Sequence, residues 1–213
     1  MSTRVLILGA RTLAVDVMDL IGEIPGCEVA GFVENMDRTA CEKPLEGYPV
    51  YWVDELKRLA KDHVGVCALS TTKRRMFVEQ AESLGLKFGT FVHPTARVSR
   101  RAALGEGVFV SAMATVATHA TLGKCVFVNR GALIGHHTTI GDYCTIQPGA
   151  NLAGAIRMGA QTYVGMGAVV IDKMTVGSGC VVAAGAVVVA DLPERVLAMG
   201  VPARVVKTGI EEK

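Results

Sequence analysis

Hydrophobic positions follow two rhythms along the chain. In the N-terminal part, short apolar runs alternate with stretches where apolar residues recur every three to four positions. RVLILG (4–9), EVAGFVE (28–34), VGVCALS (64–70) and KFGTFV (87–92) read as strands. Between them, 12–24 sets Leu13, Val17, Leu20 and Ile24 at helical spacing. A second helix over 53–62 turns Leu56 and Leu59 inward, and a third over 73–85 ends at a glycine. This alternation predicts a small, mostly parallel sheet with helices on its faces.

From Val92 the rhythm changes to six. Val92, Val98, Leu104, Val110, Val116, Leu122, Val128, Ile134, Ile140, Ile146, Leu152, Met158, Val164, Val170, Val176, Val182 and Val188 form an unbroken series with no polar exception. Four residues after each, the side chain is usually small, as at Ala96, Ala114, Ala132, Thr138, Cys144, Thr162 and Cys180. This is the hexapeptide repeat of a parallel β-helix. The aliphatic residue points inward, the small one fits a corner, and three hexads close one triangular coil of eighteen residues.

Composition agrees. Half the residues are hydrophobic but only 5% aromatic, so the apolar mass is Val, Ile, Leu and Ala, which suits stacked β structure. The net charge of +2, with no basic stripe carrying interleaved aromatics, speaks against nucleic-acid binding. The longest apolar run, Cys180 to Ala190, is too short to span a bilayer. The N-terminus lacks the features of a signal peptide, and the six cysteines form no CxxC pair, so reduced thiols and a cytoplasmic location are expected. Between Leu104 and Ala190 only seven side chains are charged. Faces so poor in charge are expected to be covered by neighbouring copies, as in a cyclic trimer.

Two adjacent histidines interrupt this scaffold. His137 lies eighteen residues after His119, so the two should stack on successive coils about 4.8 Å apart. His136 should lie over Thr118 and under Gly154. Solvated turn residues are the ordinary alternative. A three-histidine zinc site would need converging imidazoles, but His93 falls off the His137 column, and adjacent histidines in a tight turn cannot easily share a metal. A general base taking a proton from a nucleophile fits better, with acyl transfer from a thioester the matching chemistry.

The chain resembles the bacterial sugar acyltransferases of the left-handed β-helix superfamily, in the group of sialic acid O-acetyltransferases and the N-acetyltransferases of UDP-4-amino sugars and GDP-perosamine. VLILGA, FVHPTARVS, VNRGALIGHHTTIGDYCTIQPGANLAG and GVPARVV carry the likeness, which covers nearly the whole chain. It implies that His136 is the general base, with His137 where the family usually has an acid. Asn129 matches a family asparagine near the acceptor, and Thr145 stands where the family has a histidine at the thioester. It implies acetyl-CoA as cosubstrate along Gly154, Met166 and Ala184, in a groove between subunits of a homotrimer.

The expected organisation is a Rossmann-like α/β substrate-binding domain over 1–91, a left-handed parallel β-helix over 92–193 and a C-terminal tail over 194–213. The family's glycine-rich loop after the first strand reads GARTLA here, keeping only Gly9. A dinucleotide site of the usual kind is therefore not expected. Arg11, Thr12 and Leu13, with Glu34 and Asn35 after the second strand, are the acceptor-binding candidates of this unit; an ordinary exposed arginine is the alternative for Arg11. The reading is acetyl transfer from acetyl-CoA to an amino or hydroxyl group of a sugar or nucleotide-linked sugar, with no metal. A non-catalytic trimeric scaffold that kept the fold is the alternative.

Overall fold

The computed structural model describes residues 2–211. Its first unit is a five-stranded, wholly parallel sheet in the order β3-β2-β1-β4-β5. The strands are β1 (Thr3–Leu8), β2 (Cys27–Glu34), β3 (Val50–Trp52), β4 (Val64–Cys67) and β5 (Lys87–Phe88). Helix α1 (Thr12–Gly22) buries Ala14, Val17 and Ile21, the stripe expected from 3.6-residue spacing. Helix α3 (Arg74–Ser83) buries Arg74, Phe77, Val78 and Ala81.

Three expectations need correction. Strand β3 has no counterpart among the expected elements, because three residues flanked by Pro49 and a helical turn give too little pattern. The helix expected over 53–62 is three short pieces, of which only Leu56–Leu59 (α2) is α-helical. The strand expected over 87–92 divides: Lys87–Phe88 closes the first sheet, and Phe91–Val92 begins the next unit. The bend falls at Gly89, where a Cβ would lie 2.7 Å from the Phe91 ring.

The second unit is a three-sided prism of two-residue rungs. Rungs eighteen residues apart pair in parallel, for example Thr115↔Leu133 and Leu133↔Asn151. Together with the repeat, this is the left-handed β-helix architecture. All seventeen aliphatic positions face the interior, with only Val92, Val98 and Leu104 in the first coil partly exposed. The corner positions add a second buried set, including Ala114, Ala132, Ala150 and Cys180. Every sixth residue from Gly107 to Gly185 has positive φ, and eight of these fourteen, including His119 and His137, are not glycine. Each corner therefore follows a type II pattern with the left-handed residue third. Glycine at the first corner position answers a different need: a Cβ on Gly135 would lie 2.3 Å from the carbonyl oxygen of Ala153 in the next coil.

The segment 194–211 carries two further strands. Val196–Gly200 pairs in parallel with Val181–Val182 and in antiparallel with Ala203–Thr208, closing the last coil with a hairpin. Among the described residues no helix is long and apolar enough to cross a membrane.

The α/β unit sits on one face of the prism. Phe91, Phe109 and Phe127 pack in one cluster with Val5, Ile7, Val17 and Ile21. The stacked Phe109 and Phe127 rings lie 5.1 Å apart.

Candidate active site

The three corners carry different chemistry. The first holds the column His93, Ser111, Asn129 and Gln147, all buried. Helix α1 climbs along it: Glu23 Oε2 lies 2.8 Å from His93 Nε2, and Arg130 Nη1 donates to Asp16 Oδ2 at 2.5 Å. Seven helical residues rise about 10.5 Å, close to two coils at about 4.8 Å each. That match keeps both contacts in register. Asn129 Nδ2 donates to Gln147 Oε1 at 3.3 Å, and its Oδ1 accepts from the Arg130 amide at 2.8 Å. Gln147 was not anticipated; its eighteen-residue spacing from Asn129 was the available signal.

The second corner carries the histidines. The His119 and His137 rings stack with centroids 4.9 Å apart. His136 meets His137 edge-on, its Nδ1 3.1 Å from His137 Nδ1. Both are exposed. The His136 ring lies over Gly154, where a Cβ would come within 2.6 Å of Cε1 and Nε2. Only glycine leaves that ring room. If His136 donates from Nδ1 to His137, its Nε2 carries the lone pair, as a base requires. His93 is held by Glu23 and Thr95 on the first corner, away from these rings.

At the third corner Cys125 and Tyr143 are buried against the α/β unit. Arg74, 1% exposed, reaches from α3 into the junction, and among the described residues no carboxylate pairs with it. It donates to the carbonyls of Cys125 (Nη2, 2.9 Å), Cys144 (Nη2, 2.6 Å) and Thr71 (Nη1, 2.8 Å) and to Thr145 Oγ1 (Nη1, 2.5 Å). Sequence gave no sign of it, since Lys73, Arg74 and Arg75 look alike until one is buried. The expectation that Thr145 meets a thioester is corrected here: Thr145 is fully buried and Arg74 occupies its hydroxyl.

In the α/β unit, Gly9 bends the chain after β1 at φ +106°. Arg11 is exposed, with Thr12 and Leu13 opening α1. Glu34 is buried, and its Oε1 accepts from the amides of Asn35 and Met36 at 2.9 and 2.8 Å. Asn35 Nδ2 donates to Gln80 at 2.8 Å. These loops gather at the C-terminal ends of β1 and β2, where open parallel sheets bind ligands. Met166 and Ala184, both exposed, occupy one column of the first corner, whereas Gly154 belongs to the second.

Burial pushes the thiols up, Cys67 to about 11 and Cys125 and Cys144 to about 12. Thiolate is the nucleophile, so none of these three serves as an acyl carrier at neutral pH. Titration of the native protein with an aromatic disulfide reagent should modify at most Cys27 and Cys41 promptly, and all six after denaturation. Prompt modification of a third thiol would contradict this burial.

The model of the bacterial transferase hexapeptide family (six repeats) matches residues 119–154, the span holding all three second-corner histidines. PerB from Caulobacter crescentus, solved in complex with CoA and GDP-perosamine, is 32% identical over 95% of this chain and 97% of its own, with a TM-score of 0.87. The chain belongs to the hexapeptide-repeat sugar acetyltransferases. This acetyltransferase is also 31% identical to the acetyltransferase domain of PglB from Neisseria gonorrhoeae, solved in complex with acetyl coenzyme A. That match covers 97% of this chain and 100% of the other, at TM-score 0.87. WeeI from Acinetobacter baumannii is 25% identical over 96% and 100% of the two chains, at 0.88. Curated protein sequences gave no match.

Proposed function

We propose that this acetyltransferase moves the acetyl group of acetyl-CoA to an amino or hydroxyl group of a nucleotide-linked sugar, with His136 as general base. The observation that carries this reading is the His136 ring over Gly154, its Nδ1 engaged by His137 and its Nε2 left for the acceptor. The acceptor nitrogen or oxygen attacks the thioester carbonyl, the new bond to the acetyl carbon forms and the C–S bond breaks. His136 takes the acceptor proton and returns it to the departing thiolate. PerB is described with CoA and GDP-perosamine, and two related structures carry single replacements of one histidine.

We read the site as lying between subunits of a homotrimer. Asn129 and Met166 stand on the first corner and His136 on the second, one side of the triangle away. The face between those corners exposes Leu133 (41%), and the first corner at its edge exposes Met113 (74%) and Met166 (58%), apolar surface suited to a second copy. The sheet order and its β1–β2 and β1–β4 crevice support a Rossmann-like substrate domain using Arg11, Thr12, Leu13, Glu34 and Asn35. Gly154, Met166 and Ala184 are our cofactor-groove residues, and the cytoplasm, which supplies acetyl-CoA, is the proposed location.

A thiol-release assay with acetyl-CoA and a panel of amino- and hydroxyl-bearing nucleotide sugars tests the reading; no release with any of them would sink it. His137 is the positioning partner. His137→Ala should lower kcat about 2–12-fold, the worth of one hydrogen bond. His137→Asp, which accepts the same bond, should restore most of it. Equal loss in both variants would show that His137 matters only as a turn residue.

A further inference from the structure

Apolar packing alone does not set the height of the α/β unit on the prism. Val17 and Ile21 of α1 share a buried cluster with Phe91, Phe109 and Phe127, which repeat at one-coil intervals. Apolar contact is non-directional, so this ladder offers similar seats at successive coils. Polar contacts select one seat. Glu23 meets His93 on the first coil, and Asp16 meets Arg130 two coils higher.

The upper contact stands between two groups of acceptor candidates. Asp16 is four residues, about 6 Å of helical rise, from Thr12, which with Arg11 and Leu13 opens α1. Arg130 follows Asn129 directly, and its amide donates to Asn129 Oδ1 at 2.8 Å, which orients that side chain. The carbonyl of Arg130 accepts from the Gly149 amide at 3.1 Å and ties the residue to the coil above. Asn129 is 4% exposed, so its amide has little freedom once Arg130 and Gln147 hold it. The Asp16 and Arg130 side chains are 38% and 52% exposed. An ion pair so open to water adds little to stability. Its direction is what the ring ladder lacks.

We propose that Asp16 and Arg130 are positioning residues for the acceptor. Their ion pair holds the loop at Arg11–Leu13 and the Asn129 amide at one fixed height on the prism, so that a sugar bound between them presents its reacting group to the base. This rests on the reading in the preceding subsection and adds two residues that touch neither substrate. The lower contact, Glu23 with His93, lies seven residues further along α1 and serves to dock the helix alone.

The test uses the full chain, acetyl-CoA and an acceptor found by the thiol-release screen. D16N and R130Q should each lower kcat/KM for the acceptor about three- to fivefold, the upper end of what an exposed pair supplies. KM for acetyl-CoA should stay within about twofold, and the melting temperature within about 2 °C. R130K keeps the charge and should recover most of the loss. D16N/R130Q should lose no more than either single variant, because both act through one contact. E23Q cuts the lower contact and should leave acceptor kinetics within about twofold. Parent-like acceptor kinetics in D16N and R130Q would overturn the proposal, as would losses that multiply in the double variant. An equal loss in E23Q, or equal rises in both KM values, would also overturn it and mark a general tether between the units. Absence of acetyl transfer in the parent would instead overturn the function reading, and the positioning role with it.

Discussion

Replacing His136 by Asn should lower kcat by about 10²–10⁴-fold, the span of a lost general base. KM for acetyl-CoA should stay within a few-fold, because Asn keeps a polar side chain over Gly154 and leaves the coil ladder intact. His136 is exposed and forms no part of the hydrophobic core, so thermal unfolding should be unchanged. The measurement is steady-state turnover on an acceptor found by the thiol-release screen. A variant within fivefold of the parent would remove His136 from the mechanism. Gly154 supplies an independent check: G154A puts a methyl group 2.6 Å from the ring and should cost activity without touching the ring's own chemistry.

The second large effect concerns stability. Arg74→Met should cost on the order of 3–5 kcal/mol, since it strips donors from the buried carbonyls of Cys125 and Cys144 and from Thr145 Oγ1. In a chain of this size the loss corresponds to a fall of roughly 6–20 °C in melting temperature. The neighbouring Arg75, 43% exposed, should tolerate alanine within about 0.5 kcal/mol. Burial disfavours the charged form of Arg74, yet it stays charged because the carbonyls around it replace water. The loss should appear as separation of the α/β unit from the prism, visible as a second unfolding transition. A single transition at the parent temperature would refute the clamp.

Much of the fold was legible because the prism writes its geometry directly into the chain. A period of six fixes which residue points inward, and a period of eighteen fixes which residues stack. The His119–His137 contact and the His136–Gly154 contact follow from counting alone. The α/β unit was harder. Strand β3 is three residues long and draws its place from β2 rather than from its own pattern. Residues 53–62 look like one amphipathic helix, but the backbone tightens at both ends. Thr145 was misread because its column faces the docked unit, and no local signal says which face of a prism will be covered. Arg74 was invisible for the same reason: its partners are main-chain carbonyls 51 and 70 residues away.

The uninterrupted register from Phe91 to Val188 has an evolutionary consequence. A prism whose rungs, up to the last coil, are each hydrogen-bonded to the rung eighteen residues on has no loop in which to store novelty. Inserting one residue would turn each later aliphatic side chain out of the interior. New acceptors must then be reached through single exchanges at corner positions, such as 136 and 137, or through the α/β unit, whose loops are free to lengthen. The lineage of this enzyme should accordingly differ from its relatives in spelling at the corners, with the length of the prism held constant.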